Sequence, residues 1–581
     1  MSKRTEWLLI ALWVLAVTLL VYLATGKPGL GIDDAQIFFT YAQNLAHGEG
    51  LIYSPGIPPA EGYTSSLWMA ICSLMFWVHA NEAGVLAVSL LLLFVTQVLA
   101  FSAIEKLLPE GPARKAKLIY AVLVTASPAY LSWTTITLMD TGVWSTLIVA
   151  MVFVLLFPPA TVSGWLVAGV PFALAPLARP EAMVVAPAIL VLLWLKLRMQ
   201  GRRTAPVWYI LASLCAATLA LTLFRLAYFG YPLPNTYYAK VSSSTWYNLK
   251  IGTTYLGKYL FGGNIVLIAA ITCVPFGWRL LVRVVRALPG RSQLAPADPL
   301  DDACQALAAV CLLMLALPVT VGGDHFSLSR FYQPAWPLFS LLLALSVTRL
   351  LSARQQRRQN TRRSSSTWLA PATVVGLAAL LSLSSYRDSW LAFARYGSPI
   401  KREFTIGSEG KQTGATLDTL FTANRSTPPV IGVVAAGGIA RTYRGPIVDL
   451  MGLNNAYIAH LPGTRIGVKD HAAFQKAAFY ALPIDVLLSS PNSEWNEAVL
   501  KRIFYDPQFV EAWRYGVVYL KDRPSQRFEG FYSRKLVASF DTAGNLGFYD
   551  TLVFSKADDR WEKTQIEIGK SESNAETGSG T

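Results

Sequence analysis

The sequence predicts a polytopic α-helical membrane protein that carries an α/β domain at its C-terminal end. Of its 581 residues, 53% are hydrophobic and only 15% are charged. The apolar residues collect in blocks long enough to cross a bilayer, and basic residues cluster at alternate ends of those blocks. After about Ser385 the composition changes to that of a soluble domain.

The apolar blocks predict about eleven spans. They lie near residues 7–24, 85–104, 118–133, 141–158, 164–180, 181–196, 206–224, 262–279, 303–321, 334–349 and 368–384. The first block is long for a signal peptide and is read as a retained helix. A further block at 65–79 is short for a span, and counting it would move the basic loop at 105–117 to the other side of the membrane. We predict a juxtamembrane helix there.

The basic clusters predict the orientation, because Lys and Arg are enriched in cytoplasmic loops. The clusters contain Lys3, Arg4, Lys106, Arg114, Lys115, Lys117, Lys196, Arg198, Arg202, Arg203, Arg279, Arg283, Arg286, Arg291, Arg349, Arg354, Arg357, Arg358, Arg362 and Arg363. With a cytoplasmic N-terminus, each cluster falls inside. The net charge of +15 is therefore assigned to topology, and a nucleic-acid-binding face is not expected.

Three regions follow from these patterns. Residues 1–384 form the membrane domain, with a first outer loop at 25–64 and a long outer loop from Arg225 to about Leu260. Residues 385–557 contain short β-rich runs and predict an extracytoplasmic α/β domain. Residues 558–581 are rich in Ser, Glu, Lys, Thr and Gly and predict a disordered tail. Gly437 and Gly438 lack the spacing of a nucleotide-binding fingerprint and are read as a strand-to-loop turn.

Charged and polar residues gather in the predicted outer loops. They are Asp33 and Asp34 after the first span, Asp140, Arg179 and Glu181 around Pro180, Asn235 and Lys240 in a tyrosine-rich loop, and Asp324, His325 and Arg330 before the span at 334–349. The positive-inside rule does not require acids and lone basic residues to converge on one side. Their convergence predicts a functional site there.

Several motifs resemble the GT-C membrane glycosyltransferases, most closely the arabinofuranosyltransferase branch related to the mycobacterial terminal arabinan transferase. They are Asp-Asp before an aromatic-rich helix at 33–34, His-Gly-Glu-Gly-Leu at 47–51, Glu-Gly-Tyr-Thr-Ser-Ser-Leu-Trp at 61–68, Pro-Asn-Thr-Tyr-Tyr-Ala-Lys at 234–240, and Gly-Gly-Asp followed by Arg-Phe at 322–331. The resemblance covers nearly all of residues 1 to about 500. The first-loop and Gly-Gly-Asp motifs are the more specific.

The resemblance implies a GT-C fold and an inverting transfer of a sugar, D-arabinofuranose, from a polyprenyl phosphate to a glycan or protein acceptor. The reaction would take place on the extracytoplasmic side of a bacterial inner membrane. A sister activity would move a hexose or aminoarabinose. No cofactor is required by the resemblance. A metal stays open, because Asp33, Asp34, Asp140 and Asp324 could supply oxygen ligands for Mg²⁺ or Mn²⁺.

Such a transfer needs a base for the acceptor hydroxyl and cations for the departing phosphate. Neighbours on an extended chain point opposite ways, so we expect only one of Asp33 and Asp34 to face the substrate. The resemblance implies Asp33 as the base. The alternative is that both acids cap the following helix. Asp34 stays the second candidate.

The remaining expectations concern substrate binding. Arg330 would bind the phosphate through a bidentate contact, and Lys240 would bind it as a point charge. Arg179 would also contact the phosphate, and an ion pair with Glu181 is the alternative for Arg179. Substrate contacts are expected from Asp140, Glu61, Tyr63, Asn235, Tyr238, Asp324 and His325. Asp140 is alternatively a helix N-cap, and the tyrosines alternatively form an interfacial aromatic belt. Residues 467–471 depart from a motif of the relatives, which leaves His471 without an assigned role.

Two other function classes stay open. A lipid or solute transporter would keep its uptake in an Asp33→Asn variant and would depend on an ion gradient. A sensor or scaffold would tolerate changes at Asp33 and Arg330 but not the loss of the domain after Ser385. Neither class accounts for the acids and bases on one side of the membrane.

Overall fold

The protein is described by a computed structural model over residues 2–286, 298–360, 389–422, 427–540 and 544–564. A bundle of helices comes first, and a mixed β-sheet flanked by short helices follows. The span predicted at 368–384 lies outside the described residues. Within them the helical majority and the C-terminal sheet confirm a polytopic helical protein with an α/β domain.

The helices of the bundle are α1 (Lys3–Ala24), α2 (Asp33–Ala46), α3 (Ser66–Trp77), α4 (Asn81–Leu107), α5 (Glu110–Thr125), α6 (Pro128–Thr134), α7 (Thr141–Leu156), α8 (Val162–Ala178), α9 (Ala182–Met199), α10 (Ala205–Tyr228), α11 (Asn235–Lys240), α12 (Thr245–Gly262), α13 (Asn264–Arg286), α14 (Pro299–Thr320) and α15 (Trp336–Asn360). A 3-10 segment at Ser327–Ala335 leads into α15.

Within the described residues, seven helical stretches are long and apolar enough to cross a membrane: α1, α4, α9, α10, most of α13, α14 and Ser327–Ser352. The block at 65–79 forms α3, whose 12 residues are too few for a span. Shorter apolar helices also include α7 and α8. These features fit a multi-pass membrane protein, and the total of about eleven spans stays a prediction.

Two predicted boundaries are wrong. The span expected at 118–133 is interrupted, because α5 ends at Thr125 and Pro128 starts α6. The region from Arg225 to about Leu260 is not a loop, since it contains α11 and α12. Gly252 of α12 lies so close to the Val319 carbonyl that a Cβ atom would come within 2.2 Å of its oxygen. This approach packs α12 closely against the end of α14.

One end of the bundle carries several of the predicted cytoplasmic basic residues, and some of these pair with acids. Lys117 contacts Glu105 at 2.6 Å and also Glu6. Arg349 contacts Asp301 at 2.9 Å. Such partly exposed pairs contribute little stability each. They show that residues far apart in sequence share one end of the bundle, as the charge pattern predicted.

The C-terminal part begins with α16 (Trp390–Tyr396) and α17 (Lys401–Leu417) and continues with α18 (Gly437–Ala440), α19 (Ala456–His460), α20 (Lys476–Ala481), α21 (Glu494–Val499), α22 (Pro507–Ala512) and α23 (Arg534–Ala538). Its strands are β1 (Ile431–Val433), β2 (Ile447–Asp449), β3 (Val486–Leu487), β4 (Trp513–Leu520), β5 (Arg527–Ser533), β6 (Leu546–Ser555) and β7 (Arg560–Lys563).

These strands form one sheet with the order β2-β1-β3-β5-β4-β6-β7. The pairs of β1 with β2 and with β3 are parallel, and the other pairs are antiparallel. The tail predicted from Asp558 therefore begins too early, because β7 pairs with β6 through Leu552 and Lys563. Residues 565–581 lie outside the described part.

The C-terminal domain packs directly on the start of α2 and on the segment that follows α2. Asp33 accepts hydrogen bonds from the backbone amides of Gly437 and Gly438, at 3.1 and 2.8 Å. The Tyr53 hydroxyl donates to the Ala436 carbonyl. A Cβ atom on Gly437 would lie 1.8 Å from the Asp33 carbonyl oxygen. Only glycine allows this approach of the two backbones.

We expect Gly437→Ala to destabilise the protein by about 3 kcal/mol, because the added methyl overlaps a backbone oxygen that no rotamer change can move. Thermal unfolding of the purified protein in detergent measures the loss. Gly257→Ala is the matched control, since no atom lies within 4 Å of its added Cβ and alanine favours the helix. Equal unfolding midpoints for the two variants would contradict the packing described.

Candidate active site

Helix ends of the bundle meet the C-terminal domain around a cavity of about 40 Å³, here the central cavity. It lies among the start of α2, the start of α7, the end of α8, α11 and the 3-10 segment. The predicted site residues that line it are Asp34, Tyr63, Asp140, Arg179, Lys240 and Arg330. The structure thus brings together residues that are almost three hundred positions apart in sequence.

Asp34 is the carboxylate of the first loop that faces the central cavity. It is the second residue of α2, and the N-terminus of a helix favours negative charge. Its Oδ2 lies 3.7 Å from Nη1 of Arg330, and its side chain is 22% exposed. The backbone therefore holds a partly accessible acid beside a buried cation.

Arg330 reaches the cavity through a reversal of the chain. Leu328 and Ser329 adopt positive φ angles of 63° and 47°, which non-glycine residues rarely do. The Arg330 Nε atom lies 2.7 Å from the Asp324 carboxylate, and its guanidinium stacks 4.5 Å from the Phe326 ring centroid. The contact with Asp324 thus orients Arg330.

Arg179 lines the cavity and is also paired. It contacts Asp140 at 3.0 Å and Glu181 at 2.9 Å. Arg179 therefore forms the ion pair with Glu181 that was the alternative interpretation, and it also lines the central cavity. Asp140 stands at the N-cap position of α7 but makes no side-chain capping bond. Its second oxygen is buried without a hydrogen-bond partner among the described residues, so it remains available to a ligand hydroxyl.

Lys240 differs from the two arginines. It ends α11 and lines the central cavity. Within the described residues its ammonium group makes no ion pair or hydrogen bond, whereas Arg179 and Arg330 each contact a carboxylate within 3.0 Å. Lys240 therefore offers the cavity a cation whose hydrogen-bonding capacity is unused.

Asp33 lies outside the central cavity, so its contacts do not fit the expected role of base. Its two oxygens accept the amides of Gly437 and Gly438. Burial raises the pKa of Asp33 to about 6, and the two backbone hydrogen bonds oppose that shift. The premise of an extended chain was wrong, because Asp33 begins α2 and successive helical residues point about 100° apart.

Three further expected substrate contacts lie elsewhere. Glu61 forms a buried two-pronged pair with Arg225, at 2.7 and 3.0 Å. Asn235 donates to the Gly452 carbonyl at 2.7 Å, and the Tyr238 ring packs 4.1 Å from that of His460. Asn235 and Tyr238 therefore join α11 to the C-terminal domain. Their motif signalled an interface, which sequence alone could not separate from a binding site.

A larger cavity of about 560 Å³, here the side cleft, lies on the other side of Asp324 and His325. His325 Nδ1 lies 2.9 Å from the Asp470 carboxylate, and Lys469 pairs with the same group at 2.8 Å. Although burial opposes it, bonding to His325 and the charge of Lys469 hold the pKa of Asp470 well below its usual range. Sequence reasoning missed Asp470, which lies in the segment that departs from the relatives' motif.

Asp324, His325 and Asp470 present ligand atoms within 4.8 Å of one another. Oxygen and imidazole ligands suit several divalent ions. Arg330 and Lys469 already neutralise the two carboxylates, which disfavours a cation there. Asp33, Asp34, Asp140 and Asp324, which the sequence left open as oxygen ligands for Mg²⁺ or Mn²⁺, do not form such a group in the part of the chain that is described.

Glu403 of α17 adds a charge that the sequence did not predict. Burial and the neighbouring Asp34 raise its pKa. Its charge and that of Asp34 therefore disfavour each other, whereas the nearby Arg402 favours the ionised form of Glu403. No sequence motif marks Glu403, because it reaches the site only through the packing of α17 on α2.

No family model matches the chain, and neither does any curated protein. Among solved structures, ArnT from Cupriavidus metallidurans in the apo state has a TM-score of 0.52 at 12% identity, over 92% of this chain and 99% of that one. ArnT bound to undecaprenyl phosphate has a TM-score of 0.51 at 10% identity, with the same coverage. Oligosaccharyltransferase AglB from Archaeoglobus fulgidus, with an inhibitory peptide and a dolichol-phosphate, reaches 0.48 at 11% identity, over 92% and 75%. The likeness to ArnT shows that this chain has the GT-C fold.

We expect Glu61→Gln to lower the free energy of unfolding by about 3–5 kcal/mol, because it leaves the buried Arg225 charge without a partner. Thermal unfolding in detergent provides the measurement. The double variant Glu61→Leu, Arg225→Met removes both charges and should regain most of the stability. A Glu61→Gln protein with unchanged stability and lost turnover would instead return Glu61 to substrate binding.

Proposed function

We propose that this protein is an inverting glycosyltransferase that takes a sugar from a polyprenyl monophosphate and passes it to a glycan or protein acceptor. The observation that carries the proposal is the central cavity, where the Asp34 carboxylate lies opposite three cations. A proton acceptor and a phosphate-binding group are the two things this transfer requires of a protein.

In the proposed reaction the acceptor hydroxyl attacks the anomeric carbon from the face opposite the phosphate. Asp34 takes the hydroxyl proton as the new carbon–oxygen bond forms. The bond from the anomeric carbon to the phosphate oxygen breaks, and the phosphate leaves with the electron pair. The configuration at the anomeric carbon is inverted. Asp34 fits this role better than Asp33, whose oxygens are occupied by backbone amides.

The departing lipid phosphate gains negative charge, and the cations of the cavity would stabilise it. Lys240 suits this role because its ammonium has no protein partner among the described residues. Arg330 keeps donors available beyond its Asp324 contact. ArnT has been solved with undecaprenyl phosphate bound, and the shared fold supports a lipid-phosphate donor for this chain.

The volumes of the two cavities suggest how the donor would enter. About 40 Å³ is far below the roughly 300–1,000 Å³ of typical ligand pockets, whereas the side cleft at about 560 Å³ is within that range. The contact between Arg330 and Asp324 lies between the two. We infer that Arg330 exchanges Asp324 for the phosphate as the sugar passes from the side cleft.

D-Arabinofuranose is proposed as the sugar on the motif resemblance of the first loop and the Gly-Gly-Asp segment. A hexose or aminoarabinose donor is the alternative within the same fold. We also propose that the site faces the extracytoplasmic side of a bacterial inner membrane, which follows from the basic residues at the opposite end of the bundle. Assays with radiolabelled polyprenyl-phosphate sugars separate these donors.

We expect Asp34→Asn to lower turnover by about 10²–10⁴-fold, because an amide cannot accept the hydroxyl proton. Asp33→Asn should keep turnover within about tenfold of the parent but unfold at a lower temperature, since one of two amide bonds is lost. Sugar transfer and thermal unfolding are measured on both proteins. The reverse pattern, with turnover lost in Asp33→Asn alone and stability unchanged, would make Asp33 the base.

We expect Lys240→Gln to weaken binding of the lipid-phosphate donor about tenfold, because a charge-assisted contact is lost. The measurement is KM for the donor and inhibition by the free polyprenyl phosphate. Lys250→Gln is the control, since Lys250 is exposed on α12 away from the cavity. A Lys240→Gln enzyme with parental KM would remove Lys240 from phosphate binding.

A further inference from the structure

A third cavity lies in the C-terminal domain, separate from the central cavity and the side cleft. Its volume is about 350 Å³, and it lies between the loop after α19 and helix α20. Three cations line it: Arg465, Lys476 and Lys501. We call this cavity the basic cleft. The proposed sugar transfer gives it no role.

Arg465 is 9% exposed and has no acidic partner among the described residues. Its guanidinium donates to three backbone carbonyls, those of Tyr238 at 3.1 Å, Ala459 at 2.6 Å and Leu461 at 2.9 Å. Burial lowers its pKa. The carbonyls satisfy its hydrogen bonds but do not neutralise its charge, and an uncompensated buried charge is unfavourable.

The neighbouring lysines add to this imbalance. Lys501 is exposed and makes no hydrogen bond or ion pair within the described residues. Partial desolvation by the surrounding protein and the Arg465 charge lower the pKa of Lys501. Lys476 pairs with Asp506 at 2.5 Å. Asp506 balances the charge of Lys476, and the charges of Arg465 and Lys501 have no carboxylate contact among the described residues.

The geometry of the cleft leaves room beside these cations. Arg465 Nη1 forms none of the three carbonyl bonds. A Cβ atom on Gly463 would lie 2.9 Å from it, so the glycine keeps that side of the guanidinium clear. Arg465 itself is held at a positive φ of 53°. The free Nη1 donor of Arg465 and the Lys501 ammonium belong to residues that line the same cleft.

We propose that the basic cleft binds a phosphate group. Guanidinium and ammonium groups are the usual ligands of phosphate oxygens, and binding would supply the charge that Arg465 lacks. The phosphate could belong to a lipid headgroup or to a soluble phosphorylated molecule. Trp246, which is 77% exposed on the adjoining α12, is a residue type enriched at membrane interfaces.

The cleft also contacts the element that carries Lys240. Arg465 bonds to the Tyr238 carbonyl of α11, and the Ser242 hydroxyl donates to the Thr464 carbonyl. Helix α11 thus lies between the basic cleft and the central cavity. A test must separate phosphate bound at the two places.

The first experiment acetylates the full-length protein in detergent and follows Lys501 by mass spectrometry. We expect inorganic pyrophosphate to slow acetylation of Lys501 several-fold, relative to sodium chloride at equal ionic strength. Exposed Lys535 on α23 is the internal control and should react equally in both.

Nanodiscs of phosphatidylcholine with and without phosphatidylglycerol form the second arm. Protection by pyrophosphate indicates a soluble phosphate, and protection only by phosphatidylglycerol indicates a lipid headgroup. Protection by neither overturns the proposal.

The second experiment measures pyrophosphate or phosphatidylglycerol binding, whichever protects. Lys501→Gln should weaken binding at the basic cleft about tenfold and should leave the rate of sugar transfer unchanged. Lys240→Gln should weaken only binding at the central cavity. The two variants therefore distinguish a failure of the proposed function from a failure of the proposal for the basic cleft. Lys535→Gln is the charge-matched control. Unchanged binding in Lys501→Gln together with Arg465→Gln would refute phosphate binding at the cleft.

Discussion

The contact of Asp33 with the amides of Gly437 and Gly438 is the interaction on which the rest of the site depends. It joins the start of α2 to the C-terminal domain, and α2 also carries Asp34. Because Asp33 is used for this contact, Asp34 is left to face the central cavity. Two adjacent acids therefore have different tasks, one structural and one proposed as chemical.

Charge compensation organises the centre. Arg330 contacts Asp324. His325, which follows Asp324 in the sequence, bonds to Asp470 of the C-terminal domain. This chain of contacts links a helix end of the membrane domain to a loop of the α/β domain. Each buried charge in it has an opposite charge close by, which a low-dielectric site requires. Lys240 is only partly buried and forms no hydrogen bond or ion pair within the described residues, which leaves its ammonium group free for the proposed phosphate-binding role.

The Arg465 guanidinium shows the same rule in the C-terminal domain. Its hydrogen bonds are satisfied by carbonyls, yet its charge has no partner among the described residues. In the central cavity the two arginines contact carboxylates, and the Lys240 ammonium is the cation without a hydrogen bond or ion pair among the described residues. The basic cleft presents further cations without a carboxylate contact at a second place, on the other side of α11. The protein thus has two positions where an anionic group would complete the electrostatics.

The sequence by itself determined the membrane class, the α/β domain and the charged residues that line the central cavity, because hydropathy, basic clusters and the motifs around Asp34, Lys240 and Arg330 are local signals. Only the tertiary structure decided which acid faces the cavity, since the helical start of α2 and the docking of Gly437 are long-range facts. It also decided that Glu61 pairs with Arg225, which is 164 positions away. Distant partners leave no trace in local sequence, and for that reason Asp470, Glu403 and the uncompensated Arg465 emerged only from the packing.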